Sequence, residues 1–228
     1  MKIIAEIPAR AGSERVKNKN LRKFNDSTLL ELKIKQLQQI PEIGSIVVNS
    51  NSVEMLDIAH QLGVEHIKRD DFFASNTVSM SEVFRNMAEN IDCENILYAN
   101  CTNPLVSSDS YSSAINKFFK QGFDHDSLVS CHDIKEFLYQ DGRALNYDTF
   151  NQPRSQDLPN IVALNFAISI ISKKNMIKNS NIIGRNPFFY KLDEVESVDI
   201  DTPLDFFIAE KLYKEIFINK RKLNTIRV

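Results

Sequence analysis

Residues 3–24 read IIAEIPARAGSERVKNKNLRKF, an apolar run followed by a loop that places Arg10, Arg15, Lys17 and Lys19 within ten residues. A short β-branched run of this kind reads as a buried strand. In open α/β sheets the loop leaving the carboxyl end of such a strand is where ligands bind. Four like charges this close repel one another unless water or an anion absorbs the field. The loop is therefore either a solvated basic turn or a site for a polyphosphate. It holds a single glycine, Gly12, and matches neither GxxxxGK[ST] nor GxGxxG, so cationic side chains, helped by backbone N–H groups around Ala11 to Ser13, must carry any phosphate charge.

Outward from this stretch, short apolar runs alternate with segments of helical period. Strands are expected at KIIAEIP, SIVVNS, VEHIK, NILYAN, SLVSCH and VALNFAISII. Helices are expected near 29–37, 53–62, 79–90 and 108–119, with a last one from Pro203 to about Phe217. The alternation predicts an α/β fold, a mainly parallel sheet with crossover helices. Residues 136–160 break the pattern. QDGR reads as a hairpin turn, and Phe137, Leu138, Tyr139, Leu145, Tyr147 and Phe150 favour an ordered arm over a disordered linker. The basic tail INKRKLNTIRV is expected to fray.

Composition narrows the partners. The 228 residues suit one domain, and 28 Lys+Arg against 30 Asp+Glu leave no basic face for nucleic acid. Cys93, Cys101 and Cys131 form no metal-binding spacing and point to a reduced, cytoplasmic protein. No stretch approaches the roughly 20 apolar residues of a membrane span, and the N-terminal run is too short for a leader.

A second constellation, VESVDIDTPLDF, places Asp199 and Asp201 two residues apart. In a strand both side chains share one face, about 7 Å apart. Paired carboxylates raise a pKa or recruit a cation, and Mg²⁺ takes one or two carboxylates plus phosphate oxygens. Alternatively the segment ends a strand, with Asp201 or Thr202 capping a helix whose first residue is Pro203. A cationic loop and a carboxylate pair together are what metal-assisted nucleotidyl transfer requires.

IPARAGSERVKNKNLRKF resembles the signature loop of the acylneuraminate cytidylyltransferases, or CMP-sialic acid synthetases, and the likeness continues in RDDFFASNT, CTNPL, NQPRSQDLP, LNFAI and SVDIDTPLDF. The resemblance implies a Rossmann-like three-layer α/β/α fold across one cytidylyltransferase domain, residues 1–228, with a dimerisation or lid arm around 136–160 and a homodimer. It implies CTP and an acidic sugar as substrates, Mg²⁺ as cofactor, and CMP-sugar and pyrophosphate as products. Arg10, Lys19 and Asp201 fall on catalytic positions. Ala9, Arg10, Ser13, Asn20, Arg69, Ser79 (or Ser81), Asn100, Arg154 and Asn165 fall on nucleotide and sugar positions, and Asp199 and Asp201 on metal positions. No side chain stands out as general base, His60, His66, His125 and His132 lying outside the matched blocks, so a metal-activated sugar hydroxyl is the expected nucleophile. Three positions depart from the family pattern on the acceptor side: Asn100 stands for a glutamine, Val106 for an arginine, and Phe166 for a small residue. Asn51 stands where an aspartate is common. A phosphorylated or phosphonate acceptor, or a non-catalytic nucleotide-binding role, are the alternatives.

Overall fold

The computed structural model describes residues 3–120 and 124–219; residues 220–228 of the basic tail lie outside this range. The first half runs β1 (Ile3–Pro8), β2 (Lys23–Phe24), β3 (Ser27–Thr28), α1 (Leu29–Leu37), β4 (Ile43–Ser50), α2 (Val53–Gln61), β5 (Glu65–Lys68), α3 (Met80–Glu89) and β6 (Asn95–Tyr98). The second half adds α4 (Ser108–Lys120), β7 (Ser127–Ile134), β8 (Tyr139–Gln140), β9 (Arg143–Ala144), β10 (Ile161–Ser172), α5 (Lys173–Asn179), β11 (Pro187–Lys191) and α6 (Pro203–Tyr213). Seven strands form one sheet in the order β11-β7-β10-β6-β1-β4-β5. All pairings are parallel except those of β10, which runs antiparallel to both β6 and β7.

Helices cover both faces, and the alternation of side chains along the strands shows it. In β6, Ile96 and Tyr98 pack with Val83 and Met87 of α3 and Met176 of α5, while Leu97 between them joins the cluster built by α1, α4 and α6. Such two-sided burial requires apolar residues at nearly every strand position, which is why the strands read as continuous runs rather than alternating ones. The three-layer α/β/α expectation is borne out.

Helix starts follow local chemistry. Thr28, Ser79 and Thr202 each close a capping box, with Glu31, Glu82 and Asp205 respectively, and Ser52 and Ser172 cap α2 and α5. Pro203 occupies the first turn of α6, its missing N–H costing nothing there. QDGR forms the predicted hairpin, Asp141 and Gly142 taking φ of 50° and 79° as a type I′ turn requires. The arm is held by Asn146, which accepts from Leu138 N at 2.9 Å and donates to Glu136 O at 2.8 Å, and by the Phe137–Tyr147 ring contact. Two main-sheet expectations change. The chain has a further strand, β11, and Asp199 and Asp201 lie not in a strand but in an extended segment after it, pinned by Ile200 N to Thr102 O at 2.9 Å.

The core contains complete charged side chains, Lys33 and Glu6 among them. Lys33 of α1 is fully buried and donates to Asn103 O at 2.9 Å, Tyr111 Oη at 2.8 Å and Gln36 Oε1 at 2.6 Å. Burial pushes its pKa down to about 7. The unfolded chain holds that proton up to the ordinary lysine pKa of 10.5, so it binds more protons than the folded one between pH 7 and 10.5, and stability rises with pH across that window. Replacing Lys33 by Met is expected to remove this rise, worth at most about 1.4 kcal/mol per pH unit. Denaturant unfolding of both proteins from pH 7 to 10 measures it; parallel pH dependences would contradict it.

Candidate active site

A cleft of about 550 Å³ opens at the carboxyl ends of β1 and β6, where the strand order reverses. This switch point is the ligand site of open α/β sheets, since the two crossovers diverge there and leave a crevice. Pro8 at the end of β1 and Arg10, Ser13, Glu14, Arg15, Lys19 and Asn20 of the loop after it form one wall. Arg69, Phe73, Ser75 and Asn76 after β5 form a second, and Asn100, Cys101 and Thr102 after β6 a third, with Asp201 against the basic loop.

The loop after β1 is fixed at both ends and open in the middle. Ala9 N donates to Asn49 O at 3.0 Å, Leu30 N donates to Asn20 O at 3.1 Å, and buried Val16 anchors the bend to the core. Gly12 and Asn18 take φ of 84° and 51°, so the loop needs these two residue types to turn. Ala11 N is bonded to Asn51 Oδ1 at 3.0 Å, and Asn51 Nδ2 reaches Asp71 at 3.0 Å. Asn51 thus holds the loop against the β5 side. Arg10 reaches across to Asn76 Oδ1 at 2.8 Å and Ala74 O at 3.1 Å.

Farther along the same loop, Arg15 Nη2 sits 3.0 Å and Lys19 Nζ 3.6 Å from Asp201 Oδ1, and Lys19 also donates to Ile200 O. The Arg15–Asp201 pair has side chains 68% and 48% exposed, so it contributes no more than about 1 kcal/mol and yields readily to a phosphate or a cation. Thr202, not Asp201, caps α6, which leaves the Asp201 carboxylate free to face the cleft. Asp199 is more deeply set. Burial, reinforced by neighbouring Asp201, holds its carboxyl above the usual range, while a hydrogen bond from Thr102 opposes the rise. Its Oδ1 is buried with no hydrogen-bond partner.

Beneath the β5 wall lies a polar relay that the sequence reading did not single out. Glu6, wholly buried in β1, accepts from Asn49 Nδ2 at 2.9 Å, and Asn49 Oδ1 accepts from Arg69 Nε at 2.8 Å. Burial pushes the Glu6 carboxyl up to about 7, against the pull of Asn49 and of the Arg69 charge. The signal was present: Glu6 is the one charged residue inside IIAEIP, where an uncompensated carboxylate is not tolerated. Its partner Arg69 reaches the cleft floor.

Of the predicted site residues, Arg10, Ser13, Lys19, Asn20, Arg69, Asn100 and Asp201 line one cleft, and Ala9 lies buried next to it. Asp199 contacts Thr102 of the same wall. The remaining three have other structural employment. Ser79 caps α3, with its hydroxyl bonded to Glu82 at 2.8 Å. Arg154 is an exposed side chain paired with Asp157 at 2.7 Å. Asn165 is buried and spends its amide on Ser130 at 2.5 Å, Ser197 at 3.1 Å and Ala167 N at 3.3 Å. Val106 is fully buried and is no cleft residue, so its departure from the family arginine removes a charge from this loop.

Fold and cleft place a basic loop and a carboxylate together at a sheet switch point. The cytidylyltransferase family model matches residues 4–218, and the chain belongs to that family. It is a CTP-dependent nucleotidyltransferase. Post-translational flagellin modification protein B of Campylobacter coli is 30% identical over 226 residues, covering 93% of this chain and 95% of that protein. The CMP-N,N'-diacetyllegionaminic acid synthase of Campylobacter jejuni is 27% identical over 92% of this chain and 94% of its own, and a pseudaminic acid cytidylyltransferase of the same species is 26% identical over 94% and 97%. Among solved structures, a CMP:2-keto-3-deoxy-manno-octonic acid synthetase complexed with CTP superposes with TM-score 0.69 at 13% identity over 94% of this chain and 99% of that one. That likeness concerns the fold. The resemblance to the acylneuraminate cytidylyltransferases is borne out.

Arg10 and Arg15 differ in what they are tied to, and this predicts unequal roles. Arg10→Ala is expected to weaken CTP binding about tenfold or more, since a charge-assisted contact to phosphate is lost. Arg15→Ala should change it less than about threefold, as for an exposed ion pair. Titration calorimetry with CTP compares them; equal effects would contradict the assignment.

Proposed function

We propose that the chain transfers CMP from CTP to the anomeric hydroxyl of a nonulosonic acid, an acidic 2-keto sugar, releasing pyrophosphate. The observation that carries this is that Arg10, Lys19 and Asp201 line a single cleft, with the Lys19 ammonium 3.6 Å from the Asp201 carboxylate. The relatives named for legionaminic and pseudaminic acids support the acceptor class. In the reaction an oxygen–phosphorus bond forms between the sugar hydroxyl and the α-phosphorus, the bond from the α-phosphorus to the bridging β-phosphate oxygen breaks to release pyrophosphate, and the hydroxyl proton passes to solvent water. Arg10 and Lys19 oppose the charge gathering on the departing pyrophosphate. Arg69, held by Asn49 and Glu6, presents a fixed cation to the cleft floor.

Asp199 and Asp201 fit a divalent cation such as Mg²⁺. One offers a buried oxygen without a partner, the other a carboxylate that faces the cleft between cationic side chains. Among the described residues no three His, Cys, Asp or Glu side chains form a cation cage, so these two carboxylates would hold the ion together with substrate oxygens. When bound, the ion supplies counter-charge to the triphosphate and acidifies the attacking hydroxyl.

The arm supports a homodimer reading: Tyr139, Leu145 and Phe150 are 54%, 58% and 100% exposed, an apolar set that a second copy would cover. A cytoplasmic site of action is consistent with three free cysteines and with the lack, among the described residues, of any helix long and apolar enough to cross a membrane.

Pyrophosphate release with CTP, Mg²⁺ and a panel of 2-keto acidic sugars tests the activity. Release with one of them is expected, and no release with any would overturn it. Asp201→Ala should lower turnover by at least about a hundredfold with the thermal unfolding midpoint little changed, because its Arg15 pair is exposed and its Lys19 contact is long, at 3.6 Å. A fully active variant would remove Asp201 from the mechanism.

A further inference from the structure

We infer that Phe166 is a specificity-determining residue for the acceptor, an aromatic wall that selects a sugar turning an apolar substituent toward it. This rests on the acceptor class proposed above and goes one step further, to the part of the sugar that is read.

The placement begins with a defect in β10. Leu164 pairs with Cys131 and Ser169 with Val129, so residues 165–168 stand opposite Ser130 alone. A bulge of this kind re-aims a side chain at the edge of a site. Here it is hydrogen-bonded from every side. Ser130 Oγ donates to Asn165 Oδ1 at 2.5 Å and accepts from Ile168 N at 2.8 Å, while Tyr111 Oη donates to Ala167 O at 3.2 Å. Asn100, a residue of the cleft wall, donates to Phe166 O at 3.2 Å.

At the crest of the bulge Phe166 takes φ of 52°. For a bulky residue this left-handed conformation is an outlier that persists only where the surroundings over-determine it, and such residues gather at functional sites. Glycine would adopt it without penalty. Instead the chain places a phenyl ring there, and the ring is exposed: 37% of the residue is open to solvent, while Asn165 and Ala167 on either side are buried. Neither core packing nor backbone comfort accounts for it.

The exposed ring belongs to a residue whose own carbonyl is held by Asn100 of the cleft wall, and so lies next to the cleft; a ring there favours an apolar group and disfavours a hydroxyl, which would lose its water without gaining a partner. The acceptor class is therefore a 2-keto acidic sugar with a second N-acyl group or a deoxygenated carbon on the face it turns to Phe166. Discrimination of about tenfold or more over the corresponding hydroxylated sugar is within reach of one such contact.

The test compares pyrophosphate release from CTP with two acceptors, a di-N-acylated deoxy 2-keto acid and its mono-N-acylated, polyhydroxylated counterpart, for the wild-type protein, Phe166→Gly and Phe166→Ala. The wild type should prefer the first by kcat/KM. Both variants should raise the KM for that acceptor about tenfold and erase the preference, with the KM for CTP within about twofold of wild type. Phe166→Gly, relieved of the left-handed constraint, should melt no lower than wild type, so its loss of preference is not a loss of fold. Retained preference in Phe166→Ala overturns the inference, as does a parallel rise in the KM for CTP or a wild type that prefers the hydroxylated sugar. Failure of the wild type with every acidic sugar overturns the proposed function and this inference with it.

Discussion

The site depends on one connection, that of Lys19 to the segment before α6. Its ammonium donates to Ile200 O and lies 3.6 Å from Asp201 Oδ1, joining the first loop of the chain to its last helix across 181 residues of sequence. Only 16% of the Lys19 side chain is exposed, so this contact is shielded where the Arg15 pair beside it is not. The exposed Arg15 pair at 3.0 Å is a second, weaker tie between the same loop and Asp201. Together they bring the cationic loop and the Asp201 carboxylate to one side of the cleft, and the Ile200 N to Thr102 O bond ties the Asp199–Asp201 segment to the wall after β6.

Behind the cleft the core spends buried polar groups on position rather than on stability. Glu6, Asn49 and Arg69 form one relay below the β5 wall, and Lys33, Asn103 and Tyr111 form another below the β6 wall. Asn103 Nδ2 continues to Asn165 O and Val198 O at 3.4 Å each, reaching both the β10 bulge and the residue before Asp199. Buried polar networks of this kind are costly when a member is unsatisfied, and in return they specify one arrangement. Each relay ends on a loop that lines the cleft.

The alternation of apolar runs and helical segments was legible because parallel strands buried on both faces have no polar side to hide, and α1 begins and ends where the Thr28 capping box and the helical period put it. β11 was not, since PFFYK is short, starts with proline, and pairs only at the sheet edge with β7. The strand reading of Asp199 and Asp201 failed for a related reason: DID alternates like a strand, but Ile200 is buried by packing and by its bond to Thr102, without a ladder partner. At the site, the charged residues of the first loop could be read from their density. Glu6 stood out as the one charged residue in its strand, but its partners Asn49 and Arg69, the contact of Asn51 with Ala11 N and that of Asn76 with Arg10 could not be read, because they arise from strands β1, β4 and β5 lying side by side, a fact of topology that local pattern does not carry. Phe166 was visible as a departure, but its left-handed backbone was not.

The central claim, that Lys19 and Asp201 act as one unit on the triphosphate, is tested most directly by a double-mutant cycle on CTP affinity in Mg²⁺, using Lys19→Ala, Asp201→Asn and the pair. Shared function predicts that the double variant loses far less than the product of the single losses, a coupling of at least about tenfold. Additive losses would show two independent surfaces and contradict the account.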